Sequence, residues 1–267
     1  MRFCGIDVSA KPGNQQLVTL HERRRGPGET ELVATFYEPG DVDAVARTVR
    51  GFGGEAVVGI DAPSGRRLDL LAPGTPLRAT LALPAGRYER SRVCDALLFR
   101  RGLPLYPVPA AGQPLARWEG WMDAGFDLFD ALAPLGLFRP HAVDGAAAVE
   151  GRGGDGALRF GRIFETYPDA VFCALLGHRP PAKRTPWGLQ QRIAVLRLRG
   201  VADDDGGLWH RSVDELDACA AAYAAYALAT GAGCWVGDAR EGVIVLPGDG
   251  LLDRYTKLPP PRRQALA

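Results

Sequence analysis

Two aspartates that end the same three-residue string are the first candidates for chemistry. Asp7 ends Gly5-Ile6-Asp7, and Asp61 ends Gly59-Ile60-Asp61. Each string closes an apolar run that predicts a strand, and ligands of open α/β sheets gather at the carboxyl ends of strands. Because neighbouring strands lie about 4.8 Å apart, two such aspartates on adjacent parallel strands bring four oxygens within reach of one hard cation such as Mg²⁺. The alternative is that each aspartate caps a turn.

The last long helix supplies a further pair of acids. Ser212-x-x-Glu215 is a capping box, so Asp214 lies in the first helical turn and Asp217 follows three residues later. Asp214 is alternatively an ordinary partner of the helix dipole. Asp217 precedes an apolar, alanine-rich stretch, and a carboxylate that enters such a buried helix requires a partner. A metal ion suits that role.

A fifth acid and three basic residues complete the candidate site. Glu165 ends an apolar run, so its carboxylate either points into the same crevice or pairs with an arginine. Residues 170–202 contain six Lys and Arg and no acid, which favours contact with phosphates. Lys183 and Arg192 belong to this run, and Arg92 belongs to a second basic group. Each basic run is alternatively a solvated surface.

Composition narrows the classes of function. The chain has 267 residues and a formal net charge of +1, so a polyanion site requires local clustering of charge. Five cysteines without a Cys-x-x-Cys pair indicate neither a disulfide framework nor a zinc knuckle, which favours a reducing cytoplasm. Residues 1–10 lack the apolar core of a signal peptide, and no apolar stretch has the length of a membrane span. We therefore expect a cytoplasmic protein with no membrane partner.

The hydrophobic pattern predicts an α/β fold that begins in the order β-β-β-α-β, with the first three strands forming an antiparallel meander. Strands are predicted at 2–8, 17–20, 31–38, 56–60, 158–166, near Trp235 and at 243–246. Helices are predicted after the N-cap Asp41, near 89–101 and 118–137, and from Pro168, Thr185 and Val213. We expect one domain over 1–250, an insertion at about 66–157, and a loose tail over 251–267.

An ordered set of short motifs resembles the bacterial and archaeal family called "domain of unknown function 429", described as predicted nucleases of RNase H-like fold. The motifs are Gly5-Ile6-Asp7, Ile60-Asp61-Ala62-Pro63, Arg92-x-Cys94-Asp95, Glu165-x-Tyr167-Pro168, Lys183 with Gly188 and Arg192, Asp214-x-x-Asp217-Ala218, and Glu241-Gly242-x-Ile244 with Pro247. The resemblance implies an RNase H-like core: a three-stranded antiparallel meander plus two strands parallel to the first, with helices on both faces and here a helical insertion. In RNase H-like nucleases the acids lie on the first strand, near the fourth and on the last helix.

The leading hypothesis is a metal-dependent nuclease that hydrolyses phosphodiester bonds with Mg²⁺ or Mn²⁺. Asp7 would bridge two ions, and Asp61 and Asp217 would each hold one. Asp214 or Glu165 would complete a ligand shell or orient the water. Lys183, Arg192 and Arg92 would hold the backbone of a nucleic acid or nucleotide substrate.

Two alternatives to a nuclease remain open from the sequence. One is an actin-like phosphotransferase, which predicts a duplicated core. The other is a non-catalytic module that binds a nucleotide or nucleic acid. The oligomeric state is not readable from the sequence.

Overall fold

The computed structural model describes residues 1–26, 28–116, 119–140, 149–154 and 157–258, and its strands form one mixed nine-stranded sheet. In chain order the strands are β1 (Arg2–Asp7), β2 (Gln16–Gly26), β3 (Glu29–Phe36), β4 (Ala56–Asp61), β5 (Glu150–Arg152), β6 (Ile163–Glu165), β7 (Val201–Asp203), β8 (Gly233–Asp238) and β9 (Gly242–Pro247). Their order across the sheet is β5-β8-β9-β6-β4-β1-β2-β3-β7.

The predicted meander is confirmed at the centre of this sheet. β1 pairs antiparallel with β2, and β2 pairs antiparallel with β3. β4 runs parallel to β1, and β6 runs parallel to β4. β2 is longer than the predicted 17–20 because its pairing with β3 continues beyond His21 as far as Gly26. β7 was not predicted, and it extends the sheet as a three-residue parallel neighbour of β3.

Seven α-helices lie in the described ranges, and their caps explain most of their boundaries. They are α1 (Val42–Gly51), α2 (Pro76–Thr80), α3 (Val93–Arg100), α4 (Gly120–Ala131), α5 (Pro168–Leu176), α6 (Pro186–Leu198) and α7 (Val213–Ala229). The predicted N-caps Asp41, Thr185 and Ser212 each accept a hydrogen bond from a backbone N–H of the first helical turn. Among these helices, none combines the length and apolar character needed to cross a membrane.

Side-chain alternation along β1 and β4 divides the core into two layers. Ile6 and Ile60 pack with Val45 of α1 and Leu128 of α4 on one face. The alternate residues of each strand, such as Gly5 in β1 and Gly59 in β4, face the opposite side, where α7 covers the strands. The helices therefore lie on both faces of the sheet, and successive strand residues reach different layers.

The segment predicted as an insertion contains shorter helices than expected. α3 begins at Val93 rather than near Glu89, since Arg92 has the extended backbone of an N-cap, with φ of −68° and ψ of 163°. α4 ends at Ala131, and a 3₁₀ turn with proline in its first turn follows it. The predicted helix to residue 137 is therefore wrong, and its first predicted residue, Trp118, lies outside the described residues.

Two further differences concern the second half of the chain. The strand predicted over 158–166 is confined to β6, because a 3₁₀ turn covers Ala157–Phe160 and Gly161 has φ of 122°. Most of residues 251–258 of the predicted loose tail are exposed, but the segment is anchored at Tyr255. Tyr255 is buried, and its N–H donates to the Arg101 carbonyl at 2.7 Å. Residues 259–267 lie outside the described residues.

Candidate active site

Asp7 and Asp61 are direct register partners at the carboxyl ends of two neighbouring parallel strands. β1 and β4 pair from Arg2 and Ala56 to Asp7 and Asp61 without interruption. Partner residues in parallel strands point to the same face, so both carboxylates lie on the face that α7 covers. The geometry expected from the repeated Gly-Ile-Asp strings is therefore present.

The glycines of those strings allow α7 to approach the sheet closely. A Cβ at Gly59 would lie 2.6 Å from the Ala221 carbonyl oxygen, and a Cβ at Gly5 would lie closer still to the backbone at Ala218. No side chain fits between strand and helix at these points. Asp217 precedes Ala221 by one helical turn and therefore lies over the strand ends.

Burial and mutual repulsion raise the pKa of both strand-end acids. Burial is the largest cause at Asp7 and, with Asp217 and Asp214, raises its pKa from 3.8 to about 8, while Lys183 and a hydrogen bond with Asp61 oppose the rise. Burial, Asp7 and Asp217 raise the pKa of Asp61 well above its ordinary value. Two acids in this relation share a proton unless a cation takes its place.

Asp217 connects this pair of acids to a lysine. The Asp217 side chain is 1% exposed, and the Lys183 Nζ donates to its Oδ2 at 2.5 Å. The other oxygen, Oδ1, is buried with no hydrogen-bond partner in the described part of the chain. Burial raises the pKa of Asp217 to about 6, and the charge and hydrogen bond of Lys183 limit this rise. A buried oxygen without a partner is unusual and suits a cation or a bound water.

Two more acids lie near this group, and one of them was missed in the sequence. The predicted ligand Asp214 is half-buried in the first turn of α7 and contributes to the raised pKa of Asp7. Asp169, in the first turn of α5, raises the pKa of Asp61 and of Asp217. Its position beside the Tyr167-Pro168 helix start is the signal that could have identified it.

Glu165 lies on the other face of the sheet, which corrects the prediction that it shares the crevice. It is the register partner of Ile60, and Ile60 faces away from α7. Its carboxylate is 4% exposed, and it accepts hydrogen bonds from both terminal nitrogens of Arg92, at 2.6 and 2.8 Å. The alternative that Glu165 pairs with an arginine therefore describes the structure.

Arg92 does not reach a substrate surface, which corrects its predicted contact with the nucleic-acid backbone. Its side chain is 1% exposed and lies between Glu165 and Asp95, whose Oδ1 is 2.9 Å from Nη2. Burial would lower the pKa of Arg92, but Asp95, Cys94 and Glu165 raise it well above its ordinary value. Arg92 is thus a buried structural cation at the start of α3.

The arrangement around Arg92 bears on where a metal could bind. In the chain as described, Cys94, Asp95 and Glu165 form the one group of three potential ligands whose atoms all lie within 4.8 Å of one another, and this group could hold a metal. The guanidinium of Arg92 already donates hydrogen bonds to both carboxylates. Asp7, Asp61 and Asp217 lie farther apart than this limit, but the pKa values of Asp7 and Asp61 are raised, and Asp217 Oδ1 has no hydrogen-bond partner among the described residues. Carboxylate oxygens such as these are the ligands that hard divalent cations prefer.

Arg192 holds the turn that carries Lys183. It is 2% exposed, its Nη2 lies 2.7 Å from Asp169 Oδ1, and its Nη1 donates to the carbonyls of Pro181 and Gly188. Since these nitrogens are bonded within the protein, Arg192 is a positioning residue rather than the free phosphate contact that was predicted.

A cavity of about 210 Å³ adjoins Lys183 and Arg192, and we call it the Lys183 cavity. Tyr167 and Asp169 also line it. A larger cavity of about 690 Å³ lies beside β7. None of the predicted site residues lines that larger cavity, so its size carries no argument for chemistry there.

Comparison with known proteins gives a family but no characterised relative. Neither a search of curated proteins nor a search of solved structures gave a match. Residues 5–241 match the sequence model described as "Protein of unknown function (DUF429)". This match spans Asp7, Asp61, Asp217 and the buried cluster around Arg92, and the chain belongs to that family.

Proposed function

We propose that this protein is a metal-dependent nuclease with an RNase H-like core. Supporting this, β3-β2-β1-β4-β6 has the strand order and directions implied by the resemblance. The single observation that carries the proposal is the pairing of Asp7 with Asp61 beneath Asp217, whose Oδ1 has no partner in the described structure. Acids on the first strand, the fourth strand and a late helix match the places where such nucleases carry them.

Asp7, Asp61 and Asp217 would hold the cation, and Asp214 would complete their ligand set. A bound Mg²⁺ or Mn²⁺ supplies an activated water and neutralises charge that develops on the phosphate. Lys183 is 36% exposed and contacts both Asp217 and the Lys183 cavity. It is therefore placed to bind a phosphate oxygen while its ammonium stays near the acids.

Glu165 acts at a distance from the reacting atoms in this proposal. Its Oε2 accepts a hydrogen bond from the Ser64 N–H at 2.8 Å, and Ser64 lies in the loop that leaves Asp61. Arg92 donates to Glu165 and to the Gly65 carbonyl of the same loop. The buried cluster thus fixes the chain that follows Asp61.

Hydrolysis assays test the proposal directly. Single-stranded and duplex RNA, DNA and hybrids are incubated with Mg²⁺ or Mn²⁺ and with wild type, Asp7→Asn or the control Asp130→Asn, which changes an exposed acid on α4. We expect cleavage by wild type and the control, and a loss of about 10³-fold or more in Asp7→Asn, the scale at which catalytic electrostatics are removed. Equal activity of Asp7→Asn and wild type, or no activity on any substrate, would exclude a nuclease.

The remaining alternatives are weaker on particular observations. An actin-like phosphotransferase requires a second copy of the core, and the described residues contain one meander, in β1, β2 and β3. A non-catalytic binding module gives polyanion binding without cleavage, which is one outcome of the same assays.

A further inference from the structure

We propose that the Lys183 cavity is a subsite for the terminal phosphate of a nucleic-acid strand, and this inference rests on the nuclease function proposed above. Lys183 lines the cavity, and its Nζ also donates to Asp217 Oδ2. Four cationic side chains line it, from Arg179, Lys183, Arg192 and Lys257, against the single carboxylate of Asp169.

Two of the four cationic side chains are already paired with carboxylates, so the other two are left for a ligand. Lys183 bonds Asp217, and Arg192 bonds Asp169. Within the residues that the structure describes, the side chains of Arg179 and Lys257 have no carboxylate partner. A phosphate monoester carries a charge of about −1.5 to −2 at pH 7, whereas each phosphodiester of a continuous strand carries one negative charge. The uncompensated charge of the cavity therefore matches a strand end better than a passing diester.

The dimensions of the cavity favour the same ligand. Its volume of about 210 Å³ is below the ~300–1,000 Å³ typical of sites for drug-sized molecules. Its apolar walls include Leu103, which is buried, and Pro181. A phosphate and part of the adjoining sugar fit this space, and a duplex does not.

The cavity is built from segments that are distant in sequence. Arg179 follows α5, and its N–H donates to the Thr256 carbonyl at 3.0 Å. The resulting bridge places Lys257 directly beside Arg179. The segment 251–258, which the sequence predicts to be loose, thereby completes the cationic wall. With the end group held here, the first linkages of the strand lie toward Lys183 and the acids, so we infer cleavage that starts from a phosphorylated end.

Binding without cleavage tests this inference separately from catalysis. Fluorescent single-stranded oligonucleotides with a 5′-phosphate, a 3′-phosphate or only hydroxyl ends are titrated in EDTA, with anisotropy as the readout. The variants are Arg179→Gln and, because Lys257 is exposed and tolerant of change, Lys257→Gln. The control is Arg47→Gln, an exposed arginine on α1, across the sheet. Inorganic phosphate serves as the competitor.

We expect wild type and Arg47→Gln to bind one phosphorylated end about tenfold more tightly than the hydroxyl end, the scale of one charge-assisted hydrogen bond. Arg179→Gln and Lys257→Gln should lose this preference. An equal loss in all three variants, no preference in wild type, or competition by inorganic phosphate without end preference overturns the inference. Metal-dependent cleavage of hydroxyl-ended strands by wild type but not by Asp7→Asn would leave the nuclease proposal intact in any of those cases.

Discussion

Replacing Gly59 with alanine tests whether the contact between α7 and the sheet holds the acids together. The added Cβ would lie 2.6 Å from the Ala221 carbonyl oxygen and 3.2 Å from Phe164 Cε2. Ordinary van der Waals contact begins at 3.4 Å, so the helix backbone must retreat by about 0.8 Å. Ala221 is fully buried, so this retreat would disturb the packing of α7 on the sheet.

Overpacking of a tight core costs about 1–3 kcal/mol, and a clash with the helix backbone on one side and the Phe164 ring on the other belongs at the upper end of that range. We therefore expect Gly59→Ala to lower the free energy of unfolding by about 2–3 kcal/mol, which for a chain of this size lowers Tm by roughly 5–10 °C. Gly51→Ala is the matched control. Its Cβ would meet no heavy atom within 4 Å at the end of α1, so its stability should be unchanged or slightly higher.

Because Asp217 lies one turn before Ala221 on α7, a retreat of the helix also moves Asp217 relative to the acids at the strand ends. Thermal unfolding with and without Mn²⁺ measures both effects, because a cation that binds only the folded state raises Tm. We expect wild type and Gly51→Ala to gain Tm from Mn²⁺, and Gly59→Ala to lose most of that gain in addition to its lower basal Tm. A Gly59→Ala protein as stable as Gly51→Ala, with the same Mn²⁺ response, would refute the close approach as the cause of the site geometry.

Two further predictions concern charge on each face of the sheet. The folded-state pKa of Asp7, about 8, is raised above its ordinary 3.8, so its contribution to stability is full below about pH 4 and is lost as pH rises toward 8. In EDTA, Asp7→Asn should therefore gain Tm over wild type as pH rises from 5 to 8.5; a constant difference would contradict the raised pKa. Arg92→Met leaves the buried Glu165 without its cation and should lower the free energy of unfolding by about 3–5 kcal/mol in chemical denaturation. A stable variant with weakened substrate binding would instead indicate that Arg92 contacts the substrate.

The central fold could be predicted because its signals are local. The Gly-Ile-Asp strings and the N-caps Asp41 and Ser212 each depend on residues a few positions apart. Strand β7 was missed because its three residues carry too little periodicity and its pairing with β3 depends on tertiary packing. The start of the helix in the insertion was missed for a related reason, since its N-cap is Arg92, and arginine is not one of the residue types that usually cap helices.

In the candidate site, too, some features could be predicted from the sequence and others could not. The convergence of Asp7, Asp61 and Asp217 was foreseeable, because strand ends and a helix start bring such acids together. The face on which Glu165 lies was not foreseeable, since it depends on the register between β4 and β6, and a shift of one residue reverses the face. The partner of Asp217 was equally hidden, because Lys183 lies 34 residues earlier on a separate turn.

The acids around Arg92 and the acids around Asp7 differ more in how their charges are paired than in their composition. Around Arg92, the carboxylates of Glu165 and Asp95 share one guanidinium and also accept hydrogen bonds from backbone N–H groups, so each already has partners within the protein. Around Asp7, a single lysine faces several acids, two pKa values are strongly raised, and one buried oxygen has no partner among the described residues. Such an arrangement costs stability, and under the proposed function a bound cation would recover that cost. The proposal therefore assigns the divalent ion to the α7 face and gives the opposite cluster the role of holding the loop after Asp61 in place.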